Sequence, residues 1–350
     1  LNPAFWSGKR VLLTGHTGFK GAWASLWLAR AGATVTGYAL DPPTQPNLFG
    51  LARASELVTH LHGDVRDLGA LQRAVAQAKP DVAIHMAAQS LVRLSYAKPE
   101  ETYAVNVQGT VNFLEALRRE PGARVALVVT SDKCYQNPGD GQAFREDGPL
   151  GGHDPYSNSK ACAELATAAY RDSFFSAEAG PGLATVRAGN VVGGGDWAQD
   201  RLVPDLVRAL SQGRVAQLRN PDSVRPWQHV LEPLSGYLLL AERLWDDRGL
   251  AGAWNFGPAQ SDEQPVRWIA ERLAQAWGAA SAWERQPGEH PAEAQALRLD
   301  SGKARARLGW RPRWDLARAL ASISQWHRAL LEGGDARSLV LQQIEAYEHS

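Results

Sequence analysis

A chain of 350 residues, 44% of them hydrophobic, can bury one large core or two smaller ones. Its formal net charge is zero and no basic run interrupts it, which excludes nucleic acid and anionic membrane surfaces as expected partners. No apolar stretch is long enough to span a bilayer, and the segment LNPAFWSGKR lacks the charged and apolar regions of a signal peptide. The two cysteines, Cys134 and Cys162, match no metal or redox spacing, so no metal site is expected and a cytoplasmic setting is.

The first half alternates short apolar runs with helical patterns, the sequence signature of a parallel sheet. Strands are expected at Arg10–Thr14, Thr34–Leu40, Val58–His62, Val82–Met86, Val125–Thr130 and Ala184–Arg187. Helices fill the gaps at Ala70–Ala78, Thr102–Arg119 and from Tyr156 to about Phe175. This order predicts an α/β fold, a Rossmann-type doubly wound parallel sheet whose ligands lie at the C-terminal strand ends. Past about residue 190, glycine, proline and tryptophan become frequent, with helical patterns at Leu202–Gln212, Leu234–Trp245, Val266–Trp277 and Leu316–Leu331. Residues 1–190 are therefore expected to form a dinucleotide-binding domain. Residues 191–350 are expected to form mainly a smaller substrate-binding lobe, with some segments interleaved with the first domain.

The stretch Thr14–Gly21, TGHTGFKG, joins the first strand to an apolar helix. Gly15 permits the tight turn, Gly18 lets the backbone approach a pyrophosphate, and Gly21 lets the helix pack closely on the strand. The helix N-terminus presents free N–H groups and partial positive charge to phosphates. No G-K-[ST] closes the stretch, so it is not a P-loop. Asp41 follows the second strand, twenty residues after Gly21. A carboxylate there accepts hydrogen bonds from ribose hydroxyls and repels a 2′-phosphate, which favours NAD over NADP. Asp64, after the third strand, is placed to meet the adenine amino group. The stiff Pro42–Pro46 loop borders this site. His60 and His62 share one strand face, but no third metal ligand accompanies them.

Tyr156 and Lys160 form a Y-x-x-x-K pair, and residues four apart share a helix face. An ammonium beside a phenol favours phenolate, which can take a hydroxyl proton while a nicotinamide takes the hydride. Lys160 can also hold the nicotinamide ribose. Ser131, Asp132 and Lys133 stand at the end of the fifth strand, where ligands are expected. Ser131 offers a hydroxyl to a reacting sugar oxygen. Asp132 can donate a proton if its site raises its pKa, and Lys133 can act as a base only if its own is depressed. An exposed turn holding a solvated ion pair is the competing account of these two. Cys134 has no histidine placed to activate it and reads as packing.

Together these features resemble the extended short-chain dehydrogenase/reductase superfamily of nucleotide-sugar enzymes. His85-Met86-Ala87-Ala88-Gln89 and Asn106-Val107-Gln108-Gly109-Thr110 fit its patterns. The stretches GFKG, DPPTQPNLF, TSDKCYQN, RAGNVVGGGDW, DRLVPD and RPWQHVLEPL narrow the resemblance to the CDP-glucose 4,6-dehydratase family, over essentially the whole chain. The resemblance implies a retained NAD and CDP-glucose as substrate. It implies a cofactor site built from Gly15, Thr17, Gly18, Phe19, Gly21, Asp41, Asp64, Val65, Ala87, Ala88, Gln89, Tyr156 and Lys160. Tyr156 would take the proton of the sugar 4-hydroxyl, Ser131 would hydrogen-bond the 4-oxygen, and Asp132 would donate to the departing 6-hydroxyl. Lys133 stands where dTDP-glucose relatives place the glutamate that removes the C5 proton. Asn190 matches a substrate-holding position, Arg201 and Arg225 are candidates for the diphosphate, and Arg93 approaches the substrate.

The resemblance also implies a homodimer, possibly a tetramer, through a four-helix bundle formed by the helices around Thr102–Arg119 and Tyr156–Phe175. Ala161, Ala163, Ala166, Ala168 and Ala169 would permit close approach there. A nucleotide-sugar 4-epimerase is the alternative on the same fold, as is a dehydratase acting on another nucleotide-glucose. An epimerase needs Tyr156 and Lys160 but no acid to expel the 6-hydroxyl. A non-catalytic dinucleotide sensor would need neither Tyr156 nor Lys160.

Overall fold

A computed structural model of the chain describes residues 1–175, 180–279, 283–288 and 296–350. Its central sheet is built from β1 (Arg10–Thr14), β2 (Thr34–Ala39), β3 (Thr59–His62), β4 (Val82–His85), β5 (Val125–Val129), β6 (Gly182–Ala188) and β10 (Gly252–Phe256), all parallel, in the order β10-β6-β5-β4-β1-β2-β3. The chain runs outward from β1 to β3, then returns to β4 and runs outward the other way. The reversal leaves a crevice between the C-terminal ends of β1 and β4, where doubly wound sheets hold their ligands.

Side chains alternate across the strands, so successive residues feed opposite cores. Val11, Leu13, Val35, Ile84, Leu127 and Val186 pack under α1 (Phe19–Arg30) and, further along the chain, the helix Leu231–Asp246. Leu12, Ala83, Ala126 and Val128 pack under α2 (Leu68–Ala78) and α3 (Gly109–Arg119). The tryptophans of α1 are fully enclosed, and burial of such a side chain is worth roughly 1.5–3 kcal/mol. Trp23 also donates its indole N–H to the Gly194 carbonyl at 2.9 Å, which ties the helix behind the glycine turn to the Gly193–Gly195 segment. A Cβ on Gly194 would lie 2.4 Å from the Trp326 ring, and one on Gly193 would lie 2.9 Å from Phe19, so these glycines make room for the aromatic wall.

α4 (Pro155–Phe174) begins with Asp154 as N-cap, accepting from the Ser157 N–H at 2.9 Å, and with Pro155 at the first helical position. α4 packs against α3, with Tyr170 on the second core.

A further body of structure follows β6. β7 (Asn190–Val192) pairs in parallel with β9 (Val224–His229), and β11 (Glu263–Pro265) pairs antiparallel with β9. β8 (Ala216–Leu218) pairs with β12 (Trp283–Arg285). α5 (Leu202–Ser211), α7 (Val266–Trp277) and α8 (Leu316–Leu331) share a separate apolar cluster with β8 and β9. The intervening α6 (Leu231–Asp246) belongs instead to the central sheet. So does α9 (Ala336–Glu348), a helix the sequence reading leaves out, which packs on α1 through Val340, Ile344 and Tyr347. β10 is a strand that reading also leaves out. Among the described residues no helix is long and apolar enough to cross a membrane.

Candidate active site

The glycine turn sits in the crevice. Gly15 has φ +75°, and a Cβ there would meet the Ala87 backbone nitrogen at 2.6 Å, so the loop after β4 is laid directly on the turn after β1. Thr14 completes the join: its hydroxyl oxygen accepts from the Met86 and Ala87 N–H groups, each at 3.2 Å, and its hydrogen is left for His85 Nδ1 at 2.8 Å. Gly18 is the N-cap of α1 and supplies no side chain, which leaves the first N–H groups of the helix open. The missing Cβ of Gly21 would fall 2.2 Å from the Gly15 carbonyl oxygen and 2.7 Å from His16 Cα, so at this residue the helix lies against the turn that follows the strand. Thr17 donates to the Leu40 carbonyl at 2.9 Å and anchors the turn to the end of β2, while Phe19 lines the Gly193 side.

Beyond β2 the two carboxylates differ in exposure. Asp41 is 85% exposed, 3.7 Å from His62. Asp64 is engaged by Arg66, whose side-chain hydrogen bonds hold the carboxyl below its usual range against a smaller opposing effect of burial. Val65 is buried in the second core, and its carbonyl accepts from Asn112 at 2.9 Å. His60 meets His16, not His62, at 2.7 Å, and burial together with His60 lowers the His16 pKa to about 3. Among the described residues no group of three or more potential ligands could hold a metal ion.

After β4, Ala87 lies against the glycine turn and Ala88 follows it, both half-buried. The Gln89 side chain is turned into its own loop, donating to Leu91 O at 3.1 Å and to Thr102 at 2.9 Å and accepting from Leu91 N–H at 2.6 Å. Gln89 therefore fixes this loop, and the buried Asn106 braces its backbone at both N–H and C=O.

The reaction end lies beyond β5. Ser131 caps a short turn, its oxygen accepting from the Lys133 N–H at 3.2 Å and its hydroxyl donating to Asp132 Oδ1 at 3.0 Å. Lys133 Nζ stands 3.4 Å from that same oxygen. Asp132 is 1% exposed and its Oδ2 has no partner, so the exposed, solvated turn considered from sequence is not what forms.

Tyr156 and Lys160 are both buried on the first turns of α4, facing this triplet. Here the expectation from spacing needs correction. Burial pushes the Tyr156 phenol up to about 12, with the Ser131 hydroxyl and Arg201 pulling the other way. Lys160 points its amine at the Val129 carbonyl, 3.2 Å away at the end of β5, and burial lowers its pKa to about 8. Desolvation thus dominates both groups, an effect that i, i+4 spacing does not report.

On the rim, Arg201 donates to Asp196 at 3.0 Å and to Ser90 at 2.7 Å, and it lies close enough to Tyr156 to act on its ionisation. Arg93 pairs with Asp200 at 2.7 Å, a residue with φ +61° that also faces Arg219. Asn190 and Arg225 sit on the adjacent strands β7 and β9. Asn190 Oδ1 is buried without a partner, and Arg225 is buried, donating to the Val224 carbonyl at 2.9 Å. Two groups at this site have no role in the sequence reading. Lys20, within GFKG, approaches the phenol ring of Tyr237 to 5.6 Å, and the Tyr237 hydroxyl is buried without a partner.

The family model described as GDP-mannose 4,6 dehydratase matches residues 12–323. The chain belongs to that family. A CDP-glucose 4,6-dehydratase of Salmonella typhimurium is 49% identical over 99% of this chain and 98% of its own length. A dTDP-glucose 4,6-dehydratase of Streptomyces griseus is 28% identical over 91% of this chain and 93% of its own length. Among solved structures, the dTDP-glucose 4,6-dehydratase DesIV of Streptomyces venezuelae, determined with NAD bound, superposes with a TM-score of 0.81 at 26% identity, covering 94% of this chain and 99% of that one. The shared architecture is the seven-stranded parallel sheet flanked by helices. Within this family fold, the residues at the ends of β1, β4 and β5 and on the first turns of α4 form the candidate active site.

Proposed function

We propose that the protein is a CDP-glucose 4,6-dehydratase, a hydro-lyase that converts CDP-D-glucose to CDP-4-dehydro-6-deoxy-D-glucose and water with a retained NAD. The observation that carries the dehydratase reading is Asp132, a buried carboxylate with one free oxygen, set between Lys133 and the Tyr156–Lys160 pair. The 49% identity to a CDP-glucose enzyme supports the choice of nucleotide.

The residues present fit NAD. The turn is cleared by Gly15 and Gly21, where any Cβ would strike backbone, and Gly18 leaves the N–H groups of α1 free for a diphosphate. Asp41 is exposed at the end of β2, where it accepts from ribose hydroxyls. When bound, NAD supplies a two-electron store for the hydride lost from C4 and regained at C6. Lys160 orients the nicotinamide ribose beside Tyr156. Tyr156 accepts the 4-hydroxyl proton as phenolate, the form that the positive charge of the oxidised cofactor would favour against the opposing effect of burial, and Ser131 hydrogen-bonds the same oxygen. The 4-ketone acidifies the C5 proton, which is removed at Lys133, by its amine or by a water that the amine positions, while Asp132 is the acid that delivers a proton to the departing 6-hydroxyl. Asn190, Arg201 and Arg225 hold the sugar diphosphate, with Arg93 at the rim.

A homodimer is part of this proposal. Leu165 and Phe174 of α4 and Tyr103 ahead of α3 are exposed apolar side chains on the helices expected to pair. Ala161 and Ala163 are buried inside the subunit, so the free face of α4 runs instead through Cys162, Leu165, Ala166 and Ala169. A cytoplasmic setting accords with two unpaired cysteines.

The test is incubation of the purified protein with CDP-glucose, and in parallel with dTDP-, UDP- and GDP-glucose. The expected product is lighter by one water and carries a carbonyl, and CDP-glucose is turned over fastest. A product of unchanged mass with inverted C4 would replace this reading with a 4-epimerase. Equal or faster dehydration of another nucleotide-glucose would retain the chemistry and reassign the substrate.

A further inference from the structure

Lys20 is the second residue of α1, in the first turn of a helix whose dipole disfavours a cation there. Among the described residues its amine has no hydrogen-bond acceptor, and the Tyr237 ring lies 5.6 Å away. The Tyr237 hydroxyl, on α6, is itself buried without a partner. α1 and α6 cover one face of the central sheet, whereas α4, which carries Tyr156 and Lys160, packs with α3 on the other. The two pairs nevertheless converge. Lys20 is within electrostatic reach of Lys160, Arg201 and Asp132, and Tyr237 is within reach of Tyr156 and Asp132. A ligand lying along the strand ends, from the glycine turn to Tyr156, is therefore flanked by Tyr156 and Lys160 from one face and by Lys20 and Tyr237 from the other.

We propose that Lys20, backed by the Tyr237 ring, sets the oxidising strength of the nicotinamide held at this site. The inference rests on the reading above that NAD binds along the glycine turn. An oxidised nicotinamide ring carries a positive charge and a reduced ring carries none. A cation placed against the ring raises the energy of the oxidised form alone, so the bound cofactor accepts a hydride more readily. Lys20 is suited to respond to that change of charge. Burial first, then Arg201 and Lys160, push its pKa down to about 7, with Asp132 opposing. Beside a cationic ring the amine is held less protonated, and beside a neutral ring more protonated.

The balance is complete without an added reagent. Two electrons and one hydrogen leave sugar C4 for the ring, the 4-hydroxyl proton leaves through Tyr156, and one proton binds at Lys20. When the hydride passes to C6, Lys20 releases its proton, and the amine ends the cycle as it began. Lys160, Arg201 and Asp132 are the charged groups that act on it, from α4, the segment before α5 and the turn after β5, and the Tyr237 ring of α6 lies beside it.

The test uses the NAD-loaded protein. Bound NAD is equilibrated against an external two-electron couple from about pH 6 to about pH 10, a range that brackets the shifted amine, and the reduced form is read by its near-ultraviolet absorbance. In Lys20→Met the equilibrium constant for reduction should fall about tenfold at the acidic end, equivalent to about 30 mV for a two-electron couple. The difference should vanish at the alkaline end, where the wild-type amine is neutral beside either ring. Lys20→Arg, which cannot lose its proton, should keep the high constant throughout. Identical constants and pH slopes in wild type and Lys20→Met would overturn the inference while leaving the dehydratase reading intact. If Lys20→Met does not fold, the comparison of wild type with Lys20→Arg decides, because only wild type should lose oxidising strength as pH rises. A protein that holds no NAD would overturn this inference and the functional reading together.

Discussion

The two ends of the cleft are built in opposite ways. Around β1, β2 and β3 the groups offered to a ligand are backbone N–H groups at a helix start, the exposed Asp41 carboxylate and the half-buried Asp64 carboxylate, already engaged by Arg66. Around β5 and α4 they are side chains. Ser131, Asp132, Tyr156 and Lys160 are all buried, Asp132 Oδ2 is unsatisfied, and burial drives the phenol and the amine in opposite directions on the pH scale. A buried polar atom without a partner costs about 1–3 kcal/mol. The fold accepts that cost at Asp132, where the reacting molecule is expected, and also at His16 Nδ1 and His85 Nε2 beside the glycine turn. The first end is shaped to receive a ligand against competing water. The second holds groups whose charge and hydrogen bonding are incomplete until a reacting molecule supplies the remainder.

The contrast predicts the largest losses at the buried end. Tyr156→Phe keeps the ring that fills the site and removes only the hydroxyl, so the protein should fold and load NAD normally. Its turnover should fall by a factor of about 10²–10⁴, the range for losing a positioned acid–base group. Substantial residual turnover at high pH would show that a different base takes the proton. Asp132→Asn should cost less and should split the reaction. Oxidation at C4 continues while expulsion of the 6-hydroxyl slows, so reduced cofactor should accumulate during turnover. If both steps slow equally, Asp132 is not the acid.

Much of this arrangement is legible in sequence, for reasons that can be stated residue by residue. Five strands of the sheet appear as apolar runs between turn signals because parallel strands inside a sheet are buried on both faces, whereas β3 is a largely exposed edge strand whose apolar signal is only Val58 and Leu61. The seventh, Gly252–Phe256, carries Asn255, which is fully buried and bonds Tyr135, Phe144 and Asp300. Its polarity hides a core position. α9 had a visible signal in Val340, Ile344 and Tyr347, spaced four and then three residues apart on one helix face. Tyr156 and Lys160 were legible from spacing, and Ser131 to Lys133 from their place at a strand end. The direction of the Tyr156 shift was not, because desolvation depends on what surrounds the ring. Lys20 and Tyr237 are 217 positions apart, and only the packing of α1 and α6 on one sheet face brings them to the same strand ends.

The glycine end should break by bulk rather than by chemistry. In Gly21→Ala the new methyl carbon meets the Gly15 carbonyl oxygen at 2.2 Å, and both partners are backbone, so the turn itself must move. A stability loss of about 1–3 kcal/mol is expected, in the range for forced overpacking, together with weaker NAD retention. Thermal unfolding and the NAD content of the purified variant measure the two effects. An unchanged melting temperature with full NAD content would mean that the turn has slack that its contacts do not suggest.

The smallest effect belongs to Asp41. Its carboxylate is in open water, so replacing it removes no buried contact, and Asp41→Asn should leave stability unchanged. What it removes is the charge that faces the ribose edge of the cofactor. NAD affinity should drop by about tenfold or less, which corresponds to about 1.4 kcal/mol, and NADP affinity should rise because the repulsion of a 2′-phosphate is gone. Because the carboxylate is exposed, both changes should shrink as salt is added. Affinity titrations of the NAD-depleted variant at low and high ionic strength check this. If neither cofactor responds, Asp41 does not meet the ribose, and selection at this end falls to the backbone of the turn alone.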